Sequence, residues 1–266
     1  MSNGNNRSSR LFDYLSPTDD DEIMTLLVAL VGTDGIVVAA DSRGTFGDPR
    51  GVTAQNDTMQ KAYVLTPHVA VLMAGTAEVG AMIITETKKR LQASPVDDAV
   101  TPVMNVLRAT SIDCYNNWFP TVPAVQPAQA VQAGQAAARP DLVFVVAGYD
   151  ESNTAQLFTL ASGFGFPPMQ TTHGFCLQGV AQYALYLLNG LYEPNRTTDE
   201  LAALAVYAIT ETAGQDGKVG GPVNVITIAP GDGGCQPLSV EQVNEINSRN
   251  TSRLQALRDS FYDRTN

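Results

Sequence analysis

A hydroxyl, a carboxylate and a guanidinium are predicted to meet at one end of an early β-hairpin. The hairpin is indicated by two apolar runs, Leu26–Val31 and Ile36–Ala40, with Gly32-Thr33-Asp34-Gly35 between them. A turn centred on Thr33-Asp34 or on Asp34-Gly35 places Thr25 opposite a residue between Ser42 and Gly44. Thr25 then lies beside Asp41 and Arg43. Because a hydroxyl becomes a nucleophile only when neighbouring groups activate it, this end of the hairpin is a candidate catalytic site.

Further elements are needed to hold such a site, and the sequence predicts two kinds. Strands are predicted at about Met59–Leu65, His68–Ala74, Leu142–Ala147, Ala155–Leu160 and Val223–Ile228, with a loop near Phe46–Gln55. Helices are predicted after Gly75, from Pro95 to about Trp118 with Ser94 as cap, and at Ala181–Leu191, Thr198–Gly214 and Ser239–Tyr262. The strands are apolar on both faces, which favours sheets covered on each side. The expected α+β fold is a four-layer αββα sandwich, two antiparallel sheets between helix layers.

Composition favours one large domain with appendages. We expect residues 1–24 to form a disordered leader, 25–238 the domain, and 239–266 a helical tail, with an Ala/Gln/Pro-rich insertion at 119–140. With 266 residues, 44% of them hydrophobic, the chain can bury a sizeable core. A net charge of −11 argues against nucleic-acid binding, and no apolar run is long enough to span a membrane.

The sequence indicates neither a disulfide framework nor a metal site. Cys114, Cys176 and Cys235 are an odd number without CxxC spacing, which favours free thiols in a reducing compartment. The polar, acidic N-terminus does not fit a secretory signal, so a cytoplasmic location is expected. His68 and His173 have no partners at metal-ligand spacing. We therefore expect neither a metal nor a cofactor.

The hairpin and three later motifs together resemble a proteasome β subunit, a member of the N-terminal-nucleophile hydrolases. The motifs are Ala39-Ala40-Asp41-Ser42-Arg43-Gly44-Thr45 after Thr25, Gln60-Lys61-Ala62-Tyr63, Val69-Ala70-Val71-Leu72-Met73-Ala74-Gly75, and Gln215-Asp216-Gly217-Lys218-Val219-Gly220-Gly221. The resemblance covers residues 25 to about 230. It implies the four-layer sandwich predicted above, and a threonine peptidase that uses no metal.

The resemblance also implies a role for each matching residue. Thr25 is the nucleophile and its own α-amino group the base, which requires a free amino end at Thr25. Lys61 lowers the pKa of the hydroxyl and Asp41 balances the charge of Lys61. The alternative is a lysine at a strand end that points to solvent. Gly75 donates its N–H to the oxyanion. Arg43 is structural and braces the loop that carries Lys61.

Other matches concern the substrate pocket and the motif Gln215–Gly221, called the late loop below. Gly44, Met73 and Ala77 correspond to pocket residues, with Met73 as a floor that favours large apolar side chains. Asp216 corresponds to an aspartate that helps to hold the threonine. Where the family has serines, this chain has Val219 and either Gln178 or Val180. Valine offers no hydroxyl, so these positions argue against activity.

Several interpretations stay open at this stage. Met24 precedes Thr25, so either residues 1–24 are removed as a leader, as in a zymogen, or translation starts at Met24 and methionine removal exposes Thr25. The first functional interpretation is a threonine-type endopeptidase in a homo-oligomeric ring that acts on peptides or unfolded proteins, with a gating or unfoldase partner. The alternatives are a non-catalytic ring subunit, an amidase that acts on a small amide, and a binding module whose C-terminal helix docks a partner.

Overall fold

The computed structural model describes residues 24–47, 53–120 and 139–262 of this chain. The strands are β1 (Leu26–Val31), β2 (Ile36–Ala40), β3 (Gly44–Gly47), β4 (Thr53–Asn56), β5 (Ala62–Thr66), β6 (Val69–Gly75), β7 (Leu142–Tyr149), β8 (Ala155–Ala161), β9 (Met169–Thr171), β10 (Phe175–Gly179), β11 (Asn224–Ala229) and β12 (Gly234–Pro237). The helices are α1 (Ala77–Ala93), α2 (Val100–Trp118), α3 (Gln182–Leu191), α4 (Thr198–Gln215) and α5 (Val240–Phe261). The predicted leader, the centre of the predicted insertion and the end of the predicted tail lie outside the described residues.

Two antiparallel five-stranded sheets are stacked between helices, which confirms the predicted four-layer fold. One sheet has the order β10-β1-β2-β11-β12 and the other the order β5-β6-β7-β8-β9. Strand β1 is apolar on both faces because its alternate residues are buried on opposite sides. Leu26, Val28 and Leu30 pack towards α3, α4 and α5, whereas Leu27 and Ala29 pack against the second sheet. Strand β6 divides its side chains in the same way between the first sheet and the layer of α1 and α2.

The hairpin that carries Thr25 has the predicted register. Leu27 pairs with Ala40 and Val31 with Ile36, so the turn is centred on Thr33-Asp34 and Thr25 lies opposite Ser42. The N–H of Gly32 donates to the carbonyl of Gly35 at 2.8 Å and closes this turn. The threonine and the segment after β2 are thereby brought to the same end of the sheet.

Two predictions about secondary structure are wrong. The segment Phe46–Gln55 is not simply a loop, because β3 and β4 form a small antiparallel ribbon with Thr45 opposite Gln55. Ser94 does not cap α2. It ends α1, since its N–H donates to the carbonyl of Arg90 and Pro95 disfavours helical geometry at the preceding residue. Helix α2 begins five residues after that proline, at Val100, with Ala99 at the N-cap position.

The three cysteines are free, as predicted. Among the described residues, no helix combines the length and the apolar character that crossing a bilayer requires.

An ion pair between His68 and Asp98 gives the fold a pH-dependent contribution. His68 Nδ1 lies 2.7 Å from Asp98 Oδ2 and joins the β5–β6 turn to the segment before α2. The hydrogen bond to Asp98 raises the pKa of His68 above 6.5. This stabilisation is therefore complete below pH 6.5 and is lost as the pH rises through the raised pKa.

We expect the melting temperature of the wild type to exceed that of His68→Gln at about pH 6, and the difference to shrink by about pH 8.5. Because both side chains are partly exposed, 1 M salt should also reduce the difference. A difference that is independent of pH would contradict this account of the pair.

Candidate active site

Lys61 is the centre of a buried polar cluster at the end of the hairpin. Its Nζ donates to Thr25 Oγ1 at 2.5 Å, to Asp41 Oδ1 at 2.9 Å and to the carbonyl of Arg43 at 2.6 Å. An ammonium group has three N–H donors, so all three are used. Thr25, Asp41 and Lys61 are 4%, 0% and 4% exposed. The structure thus brings together the three residues that the sequence analysis assigned to the nucleophile and its activation.

The carboxylate of Asp41 is held by the backbone as well as by Lys61. Oδ1 accepts the N–H of Leu26 at 3.1 Å, and Oδ2 accepts the N–H groups of Arg43 and Gly220, each at 3.1 Å. A buried charge is tolerated when it is paired and hydrogen-bonded, and this one is both. The carboxylate is consequently fixed in position before any substrate arrives. The role of Gly220 was not predicted, since a backbone donor has no signature of its own in a sequence.

Burial changes the acid–base behaviour of Lys61. Desolvation lowers its pKa below 10.5, and the positive charge of Arg43 acts in the same direction, while Asp41 opposes both. Lys61 therefore gives up its proton at a lower pH than an exposed lysine does. Its neutral amine, 2.5 Å from Thr25 Oγ1, could accept the hydroxyl proton.

Arg43 braces two segments around this cluster. Its guanidinium forms a bidentate ion pair with Asp57, with Nε–Oδ1 at 2.8 Å and Nη2–Oδ2 at 2.9 Å. Its Nη1 donates to the carbonyls of Gly217 and Val219 at 3.2 and 3.3 Å. Asp57 lies four residues before Lys61, while Gly217 and Val219 belong to the loop after α4. A bracing role for Arg43 was predicted from the sequence, whereas its partner Asp57 was not.

Gly75 ends β6 in a conformation suited to glycine. Its φ is +106°, and a Cβ there would overlap the carbonyl of Asp141. Gly75 follows Met73 by two residues, and the N–H of Met73 donates to the carbonyl of Lys61 at 2.9 Å. The glycine thus lies at the same end of the second sheet as the lysine.

Replacing Gly75 by alanine should destabilise the fold by about 1–3 kcal/mol, because the backbone strain adds to the overlap with Asp141. Urea unfolding measures the loss. Gly163→Ala is the matched control, since a Cβ there meets no atom within 4 Å. Equal stability of the two variants would contradict the constraint at Gly75.

The predicted pocket residues lie on β6, at the start of α1 and at the start of β3. Met73 is buried, and its sulfur lies against Gly80 in α1. Ala77 begins α1 and packs on the same cluster. Gly44 begins β3 and lies against the sulfur of Met59, where a Cβ would overlap it. Met59 is an additional residue that the sequence analysis missed, because a methionine among polar neighbours gives no periodic signal.

The late loop reaches the cluster through its backbone. Asp216 ends α4 and closes its own turn: Oδ1 accepts the N–H of Lys218 at 2.8 Å, and its carbonyl accepts the N–H of Val219 at 3.1 Å. These hydrogen bonds of Asp216 are local, so the aspartate shapes the loop that places Gly220 on Asp41.

Valines occupy the positions where serines would be expected. The N–H of Val180 donates to the carbonyl of Thr25 at 2.8 Å, so Val180 is the neighbour of the threonine, whereas Gln178 pairs with Leu27. Val180 and Val219 are both buried in the apolar cluster under α4. Neither position supplies a hydroxyl to Thr25.

Comparisons with known proteins agree with this architecture. The family model for the proteasome subunit matches residues 25–119. A proteasome subunit beta type-6-B like protein of Salmo salar is 22% identical over 213 residues, which cover 77% of this chain and 83% of that protein. Proteasome subunit beta 2 of Thermomonospora curvata is 28% identical over 217 residues, covering 80% and 70% respectively.

A solved structure shares the fold. The helical assembly of the Anbu complex from Pseudomonas aeruginosa contains a chain that superposes with a TM-score of 0.69 at 18% identity, covering 91% of this chain and 98% of that one. The relatives, the family match over residues 25–119 and the two stacked sheets between helices all agree. This chain is similar to proteasome β subunits and has the proteasome-like, N-terminal-nucleophile hydrolase fold.

Proposed function

We propose that this protein is a threonine-type endopeptidase subunit that hydrolyses peptide bonds through Thr25. The observation that carries the proposal is the 2.5 Å hydrogen bond between Lys61 Nζ and Thr25 Oγ1 in a buried cluster that contains Asp41. A hydroxyl next to an amine of lowered pKa has the means to lose its proton, which is the requirement for nucleophilic attack.

In the proposed reaction, Thr25 Oγ1 attacks the peptide carbonyl carbon as its proton passes, by way of Lys61 Nζ, to the α-amino group of Thr25, and the charge on Lys61 stabilises the developing alkoxide. The N–H of Gly75 donates to the oxyanion. The intermediate collapses with cleavage of the C–N bond, and the amine leaves with the transferred proton. Water then hydrolyses the Thr25 ester and restores the hydroxyl. Asp41 stays ionised throughout and keeps Lys61 oriented.

The reaction requires a free amino group on Thr25, so we propose that the bond after Met24 is cleaved. Met24 is 39% exposed whereas Thr25 is 4% exposed, so the chain enters the cluster from the surface at this bond. Removal of a leader comprising residues 1–24 and removal of an initiating Met24 both give the same amino end. In either case the domain that remains begins at the nucleophile.

We further propose a homo-oligomeric ring in the cytoplasm that admits peptides or unfolded chains, with a gating or unfoldase partner. Support comes from the family and from the neighbour described as a helical assembly. Buried Met73 beneath α1 favours large apolar side chains before the cleaved bond. Fluorogenic peptides with Leu or Tyr at this position should be cleaved faster than those with Arg or Asp. A uniform absence of cleavage by the processed protein would contradict the proposal.

A non-catalytic ring subunit is the second candidate. The buried valines at 180 and 219 favour it, because the hydroxyls expected there are missing. It predicts that the purified protein retains the residues before Thr25 and assembles without turnover.

A further inference from the structure

Asp57 lies outside the buried cluster around Lys61 but is hydrogen-bonded to two residues next to that cluster, Arg43 and Ser42. Its carboxylate is partly exposed and holds both Nε and Nη2 of Arg43. Its backbone carbonyl accepts the hydroxyl of Ser42 at 2.8 Å. Asp57 follows the β3–β4 ribbon directly, so the ribbon carries it back to the segment after β2. A bidentate pair fixes the orientation of a guanidinium as well as its position.

The oriented guanidinium in turn holds the late loop. Its remaining nitrogen, Nη1, donates to the carbonyls of Gly217 and Val219. Gly220 lies so close to the guanidinium that a Cβ would overlap it. The carbonyl of Gly220 accepts the N–H of Ser42 at 3.0 Å, and its N–H donates to Asp41 Oδ2 at 3.1 Å. A continuous set of contacts therefore joins Asp57 to Asp41, which pairs with Lys61.

We propose that Asp57 is a positioning residue for the site: it holds Arg43 against the loop 217–220, keeps the Gly220 N–H on Asp41, and offsets the positive charge of Arg43 near Lys61. The part of this proposal that concerns turnover rests on the proposed function. The part that concerns Lys61 does not.

The charges around Lys61 predict in which direction its pKa changes when the charge on Asp57 is lost. The groups that face or influence Lys61 are the Thr25 hydroxyl before β1, Asp41 and Arg43 after β2, and Asp57 after β4. The negative charges of Asp41 and Asp57 raise the pKa of Lys61, whereas Arg43 lowers it. Loss of the charge on Asp57 leaves Arg43 less compensated. The pKa of Lys61 should therefore fall further.

The chain offers a direct probe, since it contains only four lysines: Lys61, Lys88, Lys89 and Lys218. Labelling the Cε atoms of lysine with ¹³C gives four NMR signals, and Lys61→Arg assigns one of them. In Asp57→Asn, the Lys61 signal should titrate at lower pH than in the wild type, and Asp57→Glu should restore it. An unchanged Lys61 titration in a folded Asp57→Asn protein would overturn the proposal.

The helix layer supplies a matched control. Arg90 and Asp113 form an exposed ion pair with Nη1–Oδ2 at 2.7 Å between α1 and α2. Asp113→Asn removes the same charge from another arginine–aspartate pair, one with a single close contact, and should leave the Lys61 titration unchanged. A shift of equal size in this variant would also overturn the proposal, because the effect would then not depend on the contacts of Asp57.

Measuring peptide hydrolysis distinguishes a failure of this inference from a failure of the proposed function. With an active enzyme, Asp57→Asn should lower kcat by up to about 10²-fold while KM changes little, since the loop acts on the reacting groups. If Lys61 shifts as expected but no variant or wild type cleaves peptides, the positioning role stands and the peptidase proposal fails. If peptides are cleaved and Lys61 does not shift, the positioning role fails alone.

Discussion

Replacing Thr25 by alanine is expected to lower peptide hydrolysis by about 10⁴-fold or more, because the substitution removes the attacking oxygen itself. The fold should survive. The backbone carbonyl of residue 25 still accepts the N–H of Val180, and Lys61 keeps its contacts with Asp41 and Arg43. One donor of Lys61 loses its partner, which should cost about 1–3 kcal/mol in the free energy of unfolding. Steady-state kinetics and urea unfolding measure the two effects.

Thr25→Ser is the matched control, since it keeps a hydroxyl at the same position. It should retain measurable turnover, and its stability should lie close to that of the wild type. Equal turnover of the alanine variant and the wild type would assign the hydrolysis to another residue or to a contaminant.

Substitutions of Lys61 should have the second-largest effect, and two of them separate its charge from its ability to take a proton. Lys61→Met removes both and should lower kcat by about 10²–10⁴-fold. It should also cost up to about 3–5 kcal/mol in stability, because Asp41 stays buried without its counter-charge. The three backbone N–H donors to Asp41 should keep the loss within this range.

Lys61→Arg keeps the charge but not the proton transfer. A guanidinium stays protonated at all accessible pH values, so this variant should be as inactive as Lys61→Met while Asp41 remains paired. Its free energy of unfolding should consequently exceed that of Lys61→Met. High activity in Lys61→Arg would show that the site needs a positive charge alone and would contradict proton transfer by the lysine.

Much of the site was predictable because it depends on local pairing. The register of β1 and β2 follows from the apolar runs on both sides of Asp34, and that register alone places Thr25 opposite Ser42. Lys61 stands directly before an apolar strand, where the end of the second sheet comes close to the first. A resemblance in four motifs was enough to connect these positions, and the geometry around Lys61 agrees with it.

The parts that were not predicted depend on contacts between distant segments. The β3–β4 ribbon has few apolar residues, so no periodicity distinguished it from a loop. Asp57 meets Arg43 only because this ribbon folds back. The N–H of Gly220 reaches Asp41 across 179 positions, and backbone donors leave no trace in residue types. The start of α2 was misplaced because Ser94-Pro95 fits the start of a helix as well as the end of one.

Intact-mass measurement with N-terminal sequencing, before and after exposure to a threonine-directed peptide epoxyketone, tests the central claim most directly. A working nucleophile requires a free amine and a free hydroxyl on the same residue, and this reagent reports on both. We predict a chain that begins at Thr25 and gains the mass of the inhibitor. A purified protein that still carries Met24 before Thr25 and remains unmodified would contradict the account and would favour the non-catalytic subunit.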